Sequence, residues 1–427
     1  MQIITSTGFG DSGSSAITDL LSEYEGIKSY GSEWECTFLH MPGGLGDLEN
    51  AVSEGHRLKT DYAIKQFLKL SKKLSQQEMY KKAFKNQFYI ISIDFIESFF
   101  KIKWKGMYED IQSDFLSELS FNDKKFIDFS STYYTLNKSK KFDMYESDSW
   151  RPSYIPYTDM YYSCDLDGFY SAAKKYTKSL FNIAAEGAER LFLDQLLPPI
   201  STQKYVNYIE YETKVFIVDK DPRDLFLVEK LFNGSRFIPF EDINVFINWY
   251  KQTREKSYET KDSGVTYHCL LNELIQNYDA QCKKIEAFLK IDSNLHKAKL
   301  EKFNPEKSAV NINLFLKYNN YSDEINKITK ELSDFLYKEN HLLNTPVLYE
   351  NPIASVLNEC NQIQNKKISK NKLKLIFMNT YLIKNIMYIK YRKSLSKKIK
   401  ALIKSIFGLI IFIVELLINT ILIIRES

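Results

Sequence analysis

The chain opens with the pattern that most restricts its fold. A short apolar start, Ile3-Ile4, runs into Gly8-x-Gly10-x-Ser12-Gly13-Ser14-Ser15, and a stretch with Ile17, Leu20 and Leu21 on one helical face follows. Apolar run, glycine-rich turn and amphipathic segment in direct succession predict strand, loop and helix N-terminus. Glycines let a backbone come close to an anion, and the free N–H groups at a helix start point at it. The stretch therefore predicts a phosphate cradle built from Gly8, Gly10, Ser12, Gly13, Ser14 and Ser15. The alternative is a Ser/Gly-rich turn that holds no ligand. Met1 leads straight into this strand and loop, which predicts no signal peptide.

Further along, buried strands and helices alternate. Asp167 to Ala184 reads as a helix, and Arg190 to Gln195 as a buried strand with polar residues at its end, before Pro198-Pro199. Lys214 to Asp219 reads as a second buried strand, and Lys220 to Val228 turns from strand into helix. Helices follow from about Phe240 to Lys256, Leu270 to Leu289 and Ser322 to Tyr337, with Val265 to Cys269 as an edge strand. Such alternation predicts an α/β domain over residues 1–345, three layers deep, with a mostly parallel sheet. Residues 26–50 read as loop, with Pro42 to Gly46 flexible, and 52–86 as helix. Residues of about 52–165 form a helical insertion that shapes an acceptor region, its Tyr-rich end at 154–163 a loop.

Composition removes several classes of function. Five cysteines are scattered without a C-x-x-C pair, and five histidines show no ligand spacing, so neither a disulfide framework nor a metal site is indicated. From Lys366 to Lys404 there are 13 Lys/Arg and no Asp or Glu, against a whole-chain net charge of +4. The remainder is acidic and lacks the broad basic surface that nucleic-acid binding needs. After this basic, helical linker (346–404) come 20 residues, 405–424, whose one charge is Glu415. Twenty residues this rich in Ile, Leu, Val and Phe match the length of a helix crossing about 30 Å of hydrocarbon, and a basic flank on the N-terminal side predicts that the rest lies at the cytoplasmic face of the membrane. An in-plane amphipathic helix and a buried helix of the main domain are the alternatives.

The spacing from Gly8 to Ser15 copies a Walker A loop, except that Ser14 stands where nucleotide-hydrolysing loops carry Lys. That argues for a phosphate-bearing donor other than ATP or GTP. Lys214-Val-Phe-Ile-Val-Asp-Lys-Asp-Pro-Arg-Asp-Leu-Phe-Leu227 resembles the strand-plus-Arg-Asp-Pro-Arg-Asp-Val element of sulfotransferases. The opening loop resembles their 5′-phosphosulfate loop, Leu193–Pro199 resembles the segment before the second motif, and Asn272–Tyr278 and Phe303–Ser308 resemble later segments, in order over about residues 1–340.

The resemblance implies a P-loop-type fold and transfer of a sulfuryl group from 3′-phosphoadenosine 5′-phosphosulfate (PAPS) to a hydroxyl of a glycan or lipid-linked precursor, without a metal. It places Gly8, Gly10, Ser12, Gly13, Ser14 and Ser15 at the 5′-phosphosulfate, and Lys220 and Arg223 at the 3′-phosphate. It implies a general base soon after the first helix: Glu35 first, then Glu33 and His40. The chain departs from the family at Asp11, where a basic residue is usual, and at Lys220, which replaces an Arg. A kinase-like P-loop transferase using ATP, with Asp219 or Asp194 as a magnesium ligand, and a catalytically degenerate membrane-bound binding module are the competing readings.

Overall fold

The computed structural model describes residues 1–106, 158–234, 237–258 and 264–338. Strands β1 (Gln2–Gly8), β2 (Ile27–Ser29), β5 (Arg190–Phe192), β6 (Glu212–Asp219) and β7 (Thr266–Leu270) form a five-stranded parallel sheet in the order β2-β5-β1-β6-β7. Strands β3 (Ile102–Gly106) and β4 (Thr158–Tyr162) pair antiparallel as a separate ribbon. From β1 the chain crosses toward β2; from β6 it crosses toward β7. The carboxyl ends of β1 and β6 are thus the point where the crossovers part, the place at which α/β sheets hold ligands.

The described helices up to residue 289 are α1 (Ser15–Leu21), α2 (Leu45–Glu54), α3 (Arg57–Ser75), α4 (Glu78–Phe84), α5 (Phe88–Phe99), α6 (Leu166–Ala185), α7 (Thr202–Val206), α8 (Pro222–Val228), α9 (Ile243–Tyr258), α10 (Leu271–Gln276) and α11 (Tyr278–Leu289). The chain divides into two compact units, and β1 contributes to both.

The first unit comprises Met1–Thr5 and Gly26–Lys214. Its core is aromatic. The Phe95 and Tyr176 rings stack with centroids 4.8 Å apart, Phe67 meets Phe95 edge-on at 5.5 Å, and Trp34 meets Tyr80 at 5.3 Å. Edge-to-face and stacked pairs each add about 0.5–1.5 kcal/mol beyond area burial. Helix α6 starts at Asp165, whose carboxylate accepts the Gly168 N–H at 2.9 Å, the cap that satisfies an otherwise orphaned donor.

The second unit comprises Ser6–Glu25 and the chain from Val215 on. Val215, Phe216, Ile217 and Val218 of β6 are all buried, the continuous apolar run of a strand covered on both faces. Asp221 caps α8 by accepting the Arg223 N–H at 2.9 Å, with Pro222 at the first helical position, where its missing N–H costs nothing. Leu225, Phe226 and Leu227 then pack with Phe246, Ile247 and Tyr250 of α9.

The expected α/β character and parallel sheet are present. Four local expectations are corrected. The stretch 26–50 is not all loop: it holds β2 and the start of α2. Gly44 is the N-cap of α2 and is tightly enclosed, since a Cβ there would sit 2.5 Å from the Phe38 carbonyl oxygen, so Pro42–Gly46 is a packed turn. Residues 158–162 are a strand, because β3 supplies a partner that no local signal announces. The helix expected over 270–289 is two helices parted at Asn277, whose backbone (φ −118°, ψ 41°) leaves the helical region. Most of the expected insertion (107–157), the basic linker (346–404) and the apolar segment (405–424) lie outside the described residues. Among the described residues, no helix is long and apolar enough to cross a membrane.

Candidate functional site

The glycine loop leaves β1 at Gly8 and enters α1 at Ser15, as the sequence predicts. Its shape depends on glycine where the backbone is left-handed, at Gly10 (φ 90°) and Gly13 (φ 89°). Gly8 is required for closeness instead: a Cβ there would lie 2.9 Å from the Val218 carbonyl oxygen and 2.0 Å from Ser12 Oγ. The loop is thereby drawn against the end of β6.

Among the described residues, the amides of Phe9, Gly10, Asp11, Ser12 and Gly13 donate to no protein acceptor, and Ser12 Oγ has no partner. Five successive N–H groups without a protein acceptor leave the loop able to donate to an anion. Gly13 and Ser14 carbonyls accept from Ala16 and Ile17 at 3.0 and 3.1 Å, closing the first turn of α1. Ser15 is exposed at its start. Ser14, in the helical region at the N-cap, makes no side-chain cap.

Lys220, directly after β6, completes the site. It is 4 % exposed, and its ammonium makes no hydrogen bond or ion pair with any described residue. Burial pushes its pKa below the ordinary lysine range, while the charges of Asp224, Asp11, Glu229 and Asp219 oppose that shift. The influence of Asp11 brings the glycine loop and the second motif into one electrostatic neighbourhood. An unpaired buried ammonium is costly, and a bound anion would offset that cost.

The groups around Lys220 are tightly fixed. Arg254 of α9, fully buried, donates from Nε to Asp219 Oδ2 at 3.0 Å and from Nη2 to Asp219 Oδ1 at 2.9 Å. Its guanidinium lies 3.8 Å from the Tyr250 ring centroid and 4.1 Å from that of Phe9. A planar bidentate fork that also stacks on aromatic faces is a role Arg fills and Lys does not. It ties loop residue Phe9 to the end of β6. The Tyr250 hydroxyl donates to the Lys220 carbonyl at 3.0 Å and fixes the backbone of the motif.

Arg223 is engaged in the same manner. Its Nε and Nη2 donate to Asp221 at 2.8 and 2.5 Å, and its guanidinium stacks 3.7 Å from the Phe315 ring centroid. The edge expected to grip a phosphate as a fork is turned to Asp221; Nη1 has no partner among the described residues. Asp224 is fully buried and accepts from Asn272 Nδ2 at 3.0 Å and from the Asn313 and Leu314 amides at 2.8 and 2.7 Å. Burial, aided by the charge of Asp221, pushes its carboxyl up to about 7 against those three donors.

The three candidate bases, Glu35, Glu33 and His40, lie in the first unit, and Glu33 is exposed. Glu35 is exposed and has no partner among the described residues. His40 bonds through Nε2 to the Gln195 carbonyl oxygen at 2.8 Å. A carbonyl only accepts, so Nε2 carries the proton and Nδ1 keeps the lone pair. Burial lowers the His40 pKa, which keeps the ring neutral near pH 7. Asp194 is also in this unit, buried near the end of β5.

The structure thus gathers Gly8, Gly10, Ser12, Gly13, Ser14, Ser15, Lys220 and Arg223 in the second unit. Sequence reasoning missed Arg254. Its spacing from Tyr250 places the two on one helical face, but nothing local ties either to Asp219, 35 residues away. No group of three or more His, Cys, Asp or Glu able to hold a metal occurs among the described residues. No protein-family model matches the chain and no curated protein matches it, so the site is defined by its own geometry.

Proposed function

We propose that the chain is a PAPS-dependent sulfotransferase of P-loop type that acts on a glycan or lipid-linked hydroxyl at the cytoplasmic face of a membrane. The observations that carry this reading are five loop amides without a protein acceptor and, in the same unit, a buried Lys220 ammonium without an ion-pair partner among the described residues. Together they favour an anionic ligand with more than one phosphate-like group. The 5′-phosphosulfate would lie on the amides of Phe9 to Gly13 and on Ser12 Oγ. The 3′-phosphate would take Lys220 as a point charge and Arg223 through Nη1. Resemblance of the two loops to sulfotransferase motifs supplies the identity of the donor.

The chemistry is an in-line displacement. The acceptor oxygen forms a new bond to sulfur, the bond from sulfur to the bridging phosphate oxygen breaks, and 3′,5′-bisphosphoadenosine leaves with that electron pair. The acceptor proton goes to a general base, for which the resemblance offers Glu35 first, then Glu33 and His40. Catalysis then rests on positioning and on donors aimed at the growing charge of the leaving group. Of the two magnesium-ligand candidates of the kinase reading, Asp219 has both oxygens engaged by Arg254, which leaves it fewer lone pairs for a metal. The Asp221–Arg223 pairing favours one rival, a binding module without transfer activity.

Calorimetry of the full chain with 3′,5′-bisphosphoadenosine, with ATP and adenosine 5′-phosphosulfate as controls, tests the donor assignment. The expected result is preference for the bisphosphate over both controls. Equal affinity for the bisphosphate and adenosine 5′-phosphosulfate would remove the 3′-phosphate site. Tight binding of the bisphosphate without sulfuryl transfer to any acceptor would leave the binding-module reading.

A further inference from the structure

The first unit contains a cleft of about 900 Å³ between α2 and α3. That is at the upper end of the roughly 300–1,000 Å³ typical of ligand sites. Asp47, Asn50, Ala51 and Glu54 line it from α2, at helical spacing; Leu58, Tyr62, Gln66, Leu70 and Lys73 line it from α3, likewise on one stripe. The other face of α3 carries Ile64, Phe67 and Leu74 into the core, so α3 has two distinct faces and the cleft face is not spare core. Small residues, Ala51 and Ala63, line the space where the two helices run close.

The walls are unusual in what they leave uncommitted. Tyr62 is 49 % exposed, and among the described residues its hydroxyl, the Gln66 amide and the Lys73 ammonium have no partner. Asn50 accepts from Lys204 Nζ at 2.6 Å through its oxygen, which fixes the side chain and leaves its NH₂ as a donor. Near the α2–α3 turn Glu54 is paired with Lys59 at 2.5 Å, and near Gly43 the Asp47 carboxylate accepts the Gly43 amide at 2.7 Å. Lys73, in the last turn of α3, supplies a cation to the lining.

We propose that this cleft binds an acidic saccharide chain: the Tyr62 ring faces a pyranose, Asn50 and Gln66 take its hydroxyls, and Lys73 takes a carboxylate or phosphate. Both walls are helices whose backbone groups are spent internally, so recognition is through side chains. A peptide that binds by strand addition needs a free sheet edge, which this cleft does not offer. The inference names the acceptor class for the transfer proposed above and rests on that reading only in the word acceptor; binding itself needs no donor.

The test is calorimetry of the full chain, without donor, against tetragalacturonate, with maltotetraose as the neutral control and hexaglutamate as the acidic-peptide control. Tetragalacturonate should bind at least tenfold more tightly than either. Tyr62→Ala and Lys73→Glu should each weaken it tenfold or more; both side chains are exposed, so melting temperature should not move. Absence of binding, equal binding of hexaglutamate, or indifference to both substitutions would overturn the proposal. Bisphosphoadenosine affinity, measured on the same variants, separates the two readings: if it is retained when saccharide binding is absent, only the cleft assignment fails. If saccharide binds and the bisphosphate does not, the cleft assignment holds and the sulfuryl-transfer reading fails.

Discussion

At the scale of single residues, Lys220 and Asp224 carry the sharpest consequences. The Lys220 ammonium is buried without an ion-pair partner among the described residues, and the charges of Asp224, Asp11, Glu229 and Asp219 oppose its burial cost. Lys220→Met should weaken bisphosphoadenosine by about 1.5–3 kcal/mol, the range for hydrogen bonds to charged groups. Thermal melts with and without ligand separate the two roles: loss of the ligand-induced rise assigns Lys220 to binding, whereas a lower melt of the free protein with that rise retained would show Lys220 to be structural. Asp224 adds a dependence on pH. Its carboxyl is raised from an ordinary value near 3.9 to about 7, so between those values the folded protein holds a proton that the unfolded chain releases. Stability from this group is fully present below about pH 4 and is lost as pH rises through about 7. Melting temperature should fall across pH 5 to 8, and Asp224→Asn should flatten that slope, whatever it does to absolute stability. An unchanged slope would assign the dependence elsewhere.

At the scale of elements, legibility followed the range of the forces involved. Strand β6 and helix α6 were plain in the sequence because their own apolar pattern determines them, and the glycine loop because each glycine answers a local backbone demand. Strand β4 was hidden, since a Tyr-rich segment becomes a strand only through pairing with β3, more than 50 residues earlier. The Asp219–Arg254 and Asp221–Arg223 forks were hidden for a related reason: spacing shows which residue types are present, not which carboxylate has taken which guanidinium. Gly44 illustrates the same limit. It read as a flexible turn, yet its extended backbone (φ −81°) would admit other residues, and packing alone forbids them. The carbonyls of Phe38 and Met41, at 2.5 and 2.8 Å from a Cβ, are backbone atoms that cannot rotate aside. Gly44→Ala should cost about 1–3 kcal/mol, the usual penalty of overpacking. Gly187→Ala is a useful contrast, because no atom lies within 4 Å of its Cβ and only its left-handed φ (89°) opposes it. Urea denaturation of the two variants separates steric from conformational cost.

At the scale of the whole molecule, the acidic body and the basic, then apolar, C-terminal sequence suggest a protein held at a membrane, and that idea is independent of the catalytic reading. The basic residues from Lys366 to Lys404 add about 1 kcal/mol each when close to an anionic leaflet, an attraction that salt screens over about 10 Å at 0.1 M. Burial of residues 405–424 in hydrocarbon is insensitive to salt. The full chain mixed with vesicles of phosphatidylcholine alone, or with added phosphatidylserine, should therefore show which force dominates. If the segment spans, the protein inserted during synthesis should stay with membranes through both high salt and carbonate. If it lies in the interface, binding should require phosphatidylserine and be lost in salt. Replacing Leu416 and Leu417 with Asp adds two charges beside Glu415, at roughly 2.5–3.5 kcal/mol each at a bilayer centre, which should abolish spanning. Because the glycine loop and Lys220 lie far from this segment in sequence, that variant should still bind bisphosphoadenosine. Loss of folding in it would instead mark residues 405–424 as part of the core, and the membrane reading would be withdrawn.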